Sequence, residues 1–284
     1  MEKINKSILS EVIKSRNPES YKGNYGRILI IAGSLPFGGA AIMSTSAAVH
    51  TGAGLVTVLT TSEKFTALNT VVPEAMTLDY NDKQEMASAI IKSDVIVVGP
   101  GLGTSTNTAE IISSVIKNSD DNTTVIMDAS ALTVAAENKI DLTRISKLIL
   151  TPHQGEWARL SGLDIPEQTP DNNESALKKI APNAILILKK NHSEIYDFGK
   201  ILQIDNGNPG MATGGMGDTL TGILAGFIGQ FGFSLQTISA GLYLHSYVAD
   251  KINKTDYVVL PSKLISKIPK YMLKFSEQSK YPPA

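Results

Sequence analysis

Short runs of β-branched and other apolar residues, with no polar alternation inside them, constrain this chain most. Ile28-Leu29-Ile30-Ile31-Ala32, Val95-Ile96-Val97-Val98 and Ile185-Leu186-Ile187-Leu188 are the clearest. A strand with one face in water alternates in polarity, whereas a strand that stays apolar throughout is covered on both faces. All these runs fall far short of the ~20 residues that a membrane-spanning helix needs. The predicted strands are Arg27–Ala32, Leu55–Thr60, Asp94–Val98, Thr124–Met127, Lys147–Leu150, Ala184–Leu188 and Glu194–Tyr196. Helical segments alternate with them at Gly39–Thr51, Ser105–Lys117 and Glu174–Ile180, and three more follow at Leu220–Gln230, Gln236–Lys251 and Ser262–Lys274. The alternation predicts an α/β fold: a mostly parallel central sheet, helices on both faces and a helical C-terminal part. No Pro- or Gly-rich linker divides the chain, so residues 1–284 are expected to form a single domain. The small residues of Gly39–Gly54, and Gly222 with Gly226, are expected to pack closely on the sheet.

Ligands of open α/β sheets bind beyond the carboxyl ends of the strands. There this sequence places Ala32-Gly33-Ser34, Gly38-Gly39-Ala40, Gly99-Pro100-Gly101-Leu102-Gly103, Asp128, Thr151-Pro152-His153-Gln154-Gly155-Glu156 and Lys189 to Ser193. A further loop, Asn206-Gly207-Asn208-Pro209-Gly210-Met211-Ala212-Thr213-Gly214-Gly215-Met216-Gly217-Asp218, runs straight into an apolar helix. Glycines let backbone N–H groups approach a ligand, and a helix start adds aligned donors and partial positive charge. That combination suits a phosphate. Asp218 is an anion set where an anion should bind. It reads either as a helix cap or as the base that phosphoryl transfer to a hydroxyl requires, and one carboxylate can do both.

The other motifs narrow the chemistry. Gly99 to Gly103 fails the dinucleotide-binding spacing, because Thr106 stands where the third glycine belongs. No Gly-x-x-x-x-Gly-Lys-Ser/Thr occurs, which excludes a P-loop. Gly103 reads as a tight turn or as a place where a flat ligand meets backbone. His153 and Glu156 share a face of a starting helix. His153 reads as a packed or solvated side chain or as a ligand contact; Glu156 reads as a first-turn acid or as one carboxylate near magnesium, which is held mostly by water and phosphate. Lys189-Lys190-Asn191-His192-Ser193 is a solvated turn or a nucleotide phosphate and ribose site. The net charge of −1 gives no basic excess for nucleic acid or an acidic membrane, and the absence of cysteine removes disulfides and thiol catalysis. The N-terminus has no apolar signal region, so the expectation is a soluble cytoplasmic protein.

The ordered set of Gly26 to Ser34, Gly39-Ala40, Gly52-Ala53-Gly54-Leu55-Val56, Val98 to Gly103, Asp128-Ala129, Thr151 to Glu156 and Gly214-Gly215-Met216-Gly217-Asp218 resembles the ADP/ATP-dependent NAD(P)H-hydrate dehydratases. The match runs from about Tyr21 to Asp250. The resemblance implies a ribokinase-like fold. It also implies a repair activity, in which (6S)-hydrated NADH or NADPH is dehydrated while ADP, or ATP in eukaryotic members, is consumed. Ala40, Gly103, His153 and Asp218 would then contact the hydrate. Lys189, Lys190, Asn191, His192 and Ser193 would hold the nucleotide, with Gly217 beside it. Asp218 would be the catalytic carboxylate, with backbone N–H groups of Gly214, Gly215, Met216 and Gly217 as an anion hole and magnesium near Glu156.

Three positions depart from the family pattern: Lys190 replaces a common glycine, Met216 a small hydroxyl residue, and Ser130 a common acid. The resemblance further implies a homo-oligomer, a tetramer in many members. The residues before Tyr21 are too few for an epimerase domain, so a separate epimerase is expected to interconvert the R and S hydrates. Two other readings of the cleft stay open here: a ribokinase-like kinase for thiazole or pyrimidine alcohols, and a nucleotide sensor without turnover.

Overall fold

The computed structural model describes residues 1–278; residues 279–284 of the expected domain lie outside the described residues. In chain order the elements are β1 (Glu2–Lys3), α1 (Ser7–Val12), β2 (Arg27–Ile31), α2 (Gly38–Thr51), β3 (Leu55–Thr60), α3 (Phe65–Val71) and β4 (Met76–Asp79). Then come α4 (Lys83–Ile91), β5 (Val95–Val98), α5 (Thr106–Asn118), β6 (Thr124–Met127), α6 (Ser130–Glu137), β7 (Lys147–Leu150) and α7 (Gln154–Ser161). The rest are α8 (Pro170–Ile180), β8 (Ala184–Leu188), β9 (Glu194–Asp197), β10 (Lys200–Gln203), α9 (Met216–Phe231), α10 (Leu235–Asn253) and α11 (Pro261–Gln278).

Among the described residues the strands form one ten-stranded sheet in the order β1-β10-β9-β8-β7-β6-β5-β2-β3-β4. From β8 to β4 every pairing is parallel. Only β9 runs against the rest, because it returns from β8 as a hairpin. The predicted α/β class, with helices on both faces, is the observed one. Each apolar run feeds two cores, since successive side chains of a strand point to opposite faces. Ile28, Ile30, Val95 and Val97 join one core with α2, α9, α10 and α11. Leu29, Ile31, Ile96 and Val98 join the other with α4 to α8. The strands missed from sequence, β1, β4 and β10, lie toward the sheet's ends and are exposed or half-buried. They lack the uniformly apolar signature because they are not covered on both sides. Among the described residues, no helix is long and apolar enough to cross a membrane.

The expectation for the small residues needs correction. Gly222 and Gly226 pack on α2, not on the sheet. A Cβ at Gly222 would lie 2.1 Å from Ser44 O and 2.7 Å from Ala47 Cβ, and one at Gly226 would lie 2.8 Å from Thr51 Cβ. The small residues of the two helices therefore meet each other, and backbone approaches backbone. Even one added methyl must displace a main chain held by the core, and such overpacking costs about 1–3 kcal/mol. Gly222→Ala is accordingly expected to lower the unfolding free energy by that amount in urea denaturation, with the slope m unchanged. A variant as stable as the parent would show that this crossing yields freely.

Candidate active site

The rim loops are tied to one another by short bonds. Gly33 N–H donates to Pro100 O at 2.8 Å, joining the loops after β2 and β5. Gly103 N–H donates to Ser130 Oγ at 3.0 Å, joining the loop after β5 to the start of α6. Lys189 N–H donates to Pro152 O at 2.8 Å, which draws the loop after β8 to that after β7. Ala40, in the first turn of α2, abuts the same glycine turn: a Cβ at Gly101 would stand 2.8 Å from Ala40 Cβ.

At the centre of this rim, Lys189 Nζ donates to Asp128 Oδ1 at 2.7 Å. Asp128 is buried, and the chain turns sharply after it: Ala129 has φ +49° and ψ −119°, a conformation rare for any residue but glycine. Gly217 sits beside the pair, where a Cβ would lie 3.2 Å from Lys189 Nζ and 3.4 Å from Asp128 Oδ2.

The helix that follows begins a turn earlier than predicted. Gly215 takes the left-handed conformation at φ +95° and is the N-cap of α9, so Met216, Gly217 and Asp218 form its first turn. The sequence suggested a loop there because glycine is a poor helix former. Asp218 is therefore not the cap, and α9 has no side-chain cap. Thr219 N–H bonds back to Gly215 O at 2.9 Å, while the N–H groups of Met216, Gly217 and Asp218 precede the first such bond. A helix start would by itself favour an ionised carboxylate. Burial wins instead: it pushes the half-buried Asp218 up to about 6, the Asp128 and Glu156 charges add to the rise, and Lys189 opposes it.

Beside Gly217 opens a cavity of about 370 Å³. Lys189, Asn191, Ser193 and Gly217, four of the residues expected at the nucleotide, line it together with Met216. Leu220 and Leu242 give it apolar surface, and His245 lines it as well. Nothing in the sequence marked Leu242 and His245, which stand on a helix remote from every motif. Lys190 turns instead to Glu194, and His192 is exposed.

The model of one family, the NAD(P)H-hydrate dehydratases, matches residues 28–270. The chain belongs to that family. It is 42% identical over 277 residues to the ADP-dependent (S)-NAD(P)H-hydrate dehydratase of Enterococcus faecalis, covering 98% of this chain and 94% of the relative. A solved ribokinase-like superfamily protein from Enterococcus faecalis superposes with a TM-score of 0.94 at 41% identity, over 97% of this chain and 96% of that one. The ADP/ATP-dependent NAD(P)H-hydrate dehydratase of Bacillus subtilis, crystallised with ATP and Mg2+, gives a TM-score of 0.82 at 26% identity, over 94% of this chain and 96% of that one. The fold is thus ribokinase-like.

Two departures from the family pattern have a visible structural setting. Ser130 accepts the Gly103 N–H, a bond that a carboxylate acceptor could also make. Lys190 Nζ pairs with Glu194 Oε1 at 2.6 Å, and Glu194 is buried. Tyr196 O–H donates to Glu194 Oε2 at 2.6 Å, Asn173 Nδ2 donates to Tyr196 Oη at 2.9 Å, and Trp157 Nε1 donates to Asn173 Oδ1 at 2.8 Å. Lys190 therefore closes a buried polar chain that reaches α7. The third departure, Met216, is buried against one core, and nothing in the structure explains why methionine is there.

At the start of α7, His153 Nδ1 accepts the N–H groups of Gly155 and Glu156 at 3.0 and 3.2 Å. Glu156 Oε2 accepts the His153 N–H at 2.8 Å. The two residues are a capping box, which fixes the His153 ring so that Nε2 carries its proton. The predicted pairing of these residues on one helix start is thus present.

Two outcomes follow for stability. Lys190→Gly, the common family residue, strands the Glu194 carboxylate. Breaking a buried pair costs about 3–5 kcal/mol, and the low end applies because the lysine stays 25% exposed. Urea denaturation should show that loss, and Glu194→Gln should recover part of it in the double variant. For Asp218, the folded state binds the proton more tightly than the unfolded chain, so stability from this group falls as pH rises from about 4 to about 6. Asp218→Asn should therefore become progressively more stable relative to the parent across that window, with a constant gap above it. A gap that does not change with pH would contradict the burial of this charge.

Proposed function

We propose that this chain dehydrates the (6S) hydrates of NADH and NADPH, spending ADP to restore the working dinucleotide. The observation that carries this reading is Asp218: a carboxylate raised to about 6, free of any capping role, beside the open N–H groups of a helix start and the Lys189 ammonium. A base next to an anion-binding helix start serves a hydroxyl that must attack a phosphoryl group. The naming of full-length relatives at about 40% identity as ADP-dependent enzymes supports ADP as the donor.

In this mechanism Asp218 takes the proton of the C6 hydroxyl, and the hydroxyl oxygen attacks the terminal phosphoryl of ADP, releasing AMP. N–H groups of Gly214, Gly215, Met216 and Gly217, with that of Asp218 in the same helix start, stabilise the transferring charge. Lys189 adds a point charge beside them. Phosphate is a far better leaving group than hydroxide. Its loss from C6, driven by the ring nitrogen, together with loss of a C5 proton, restores the double bond. Ala40, Gly103 and His153 hold the nicotinamide end, with the His153 ring fixed by its capping contacts and by Glu156 Oε1, 3.4 Å from Nε2.

Magnesium fits this site in one respect. Asp128, Glu156 and Asp218 supply only oxygen donors, and the charges of the first two act on Asp218. Among the described residues no cluster of three or more His, Cys, Asp or Glu is arranged to hold a metal. Glu156 already accepts the His153 N–H, so a cation near it would take most of its ligands from water and phosphates. When bound, it would supply neutralisation of phosphate charge. The chain is further proposed to work as a single-domain cytoplasmic homo-oligomer, beside a separate epimerase, because a chiral site accepts one epimer of the hydrate.

The test mixes purified protein with (S)-NADH hydrate, magnesium and either ADP or ATP, and follows the reduced-nicotinamide absorbance band. ADP should support recovery, with stoichiometric phosphate release. Asp218→Asn should remain folded and lose about 10²–10⁴-fold in kcat. Because the base must be ionised, kcat/KM should rise with pH with a midpoint near 6. Recovery that needs no nucleotide, or near-normal turnover by the variant, would overturn the mechanism. Phosphorylation without recovery of the dinucleotide would make the protein a kinase.

A further inference from the structure

We propose that Tyr196 and Glu194 are positioning residues of the nucleotide site: with Lys190 they hold loop 189–193 in shape, and through Asn173 and Trp157 they tie it to the helix that begins beside His153. This rests on the nucleotide reading of the cavity beside Gly217, which Lys189, Asn191 and Ser193 of that loop line. The loop is the turn of the β8–β9 hairpin, and Leu188 pairs with Glu194 just before it. Its backbone is held at both ends: Lys189 N–H donates to Pro152 O at 2.8 Å, and Ser193 O accepts the Ile204 N–H at 3.1 Å. Between those ends Lys190 Nζ reaches Glu194 Oε1 at 2.6 Å and spans the turn. Lys190 stands where the family pattern commonly has glycine, so that pattern does not supply this crossing.

The hydrogen bonds behind Glu194 can run in one direction. Trp157 Nε1 donates to Asn173 Oδ1 at 2.8 Å, which leaves Asn173 Nδ2 to donate to Tyr196 Oη at 2.9 Å. Tyr196 O–H donates in turn to Glu194 Oε2 at 2.6 Å. Both ends enforce this order, since an indole has no acceptor and a carboxylate has no donor. Burial, and after it the bond to Glu194, push the Tyr196 phenol above its usual range, so it keeps the proton it donates. Trp157, Asn173, Tyr196 and Glu194 are each at most 2% exposed. A buried polar group that loses its partner is costly, so a shift of Glu194 must carry Tyr196 with it, and the same holds at each step toward α7. The series ends beside the capping box, where Trp157 N–H donates to His153 O at 2.9 Å.

Trp157 is the single tryptophan of the chain, is buried, and lies outside the lining of the nucleotide cavity. Its indole N–H therefore gives one nitrogen-15 NMR signal that reports on the far end of the series. In the intact protein, saturating ADP should shift that signal. Tyr196→Phe removes the hydroxyl and keeps the ring; it should still bind ADP, with most of the indole shift lost. In the dehydratase assay its KM for ADP should rise on the order of tenfold, with a smaller loss in kcat. A hydroxyl that only stabilised the fold would lower the unfolding midpoint and leave KM for ADP alone. An indole signal unmoved by ADP in the parent, a full shift in Tyr196→Phe, or an unchanged KM in the folded variant would overturn the proposal while leaving the dehydratase reading intact. If Tyr196→Phe does not fold, the titration of the parent decides by itself. If ADP shifts the indole but no nucleotide supports dehydration, the dehydratase reading fails and the positioning role stands. If ADP neither binds nor supports dehydration, both fall.

Discussion

The close crossing of α9 over α2 is the contact on which the site depends. Gly222 leaves no room for a side chain between its own backbone and that of Ser44. Asp218 lies one turn before Gly222 on the same helix, so the crossing also sets where Asp218 meets the rim. Ala40 lies in the first turn of the partner helix, so the other member of the same pair also reaches the rim. A bulkier pair of helices would stand farther apart, and the start of α9 would move away from Lys189.

Most of the charge at the rim is answered by a partner. Lys189 answers Asp128 and Lys190 answers Glu194, and both carboxylates are buried. Glu156 is occupied by the backbone of His153. Among the described residues Asp218 has no such partner, and burial, with the Asp128 and Glu156 charges, raises its pKa. A carboxylate that costs free energy to ionise in the fold is a better proton acceptor than one locked in an ion pair. The lysine nearest to it is shared with Asp128, which moderates the rise without abolishing it.

Several site residues were legible because their chemistry depends on local sequence. The Gly-rich stretch before α9, the Thr-Pro-His-x-Gly-Glu turn and Lys189 at a strand end each carry local backbone or charge signals. The His153–Glu156 capping box is likewise a matter of three-residue spacing. What failed was the start of α9. Met216, Gly217 and Asp218 read as loop by propensity, yet they form the first turn of α9, with Met216 packed against the core. Asp128 was visible at its strand end, yet its partner Lys189 is 61 residues away. His245 carried no signal at all, since a histidine inside an amphipathic helix reads as ordinary packing.

The sequence by itself determined the fold class, because runs of Ile, Leu and Val without polar alternation are stable only between two layers of helix. It also determined which loops gather at the carboxyl rim, since a parallel sheet sends every strand's end to the same side. Tertiary structure alone decided the distant partners: Lys189 with Asp128, Trp157 with Asn173, and Asn173 with Tyr196. Those contacts join residues far apart in the chain. The burial that raises the pKa of Asp218 likewise exists only once the layers have closed.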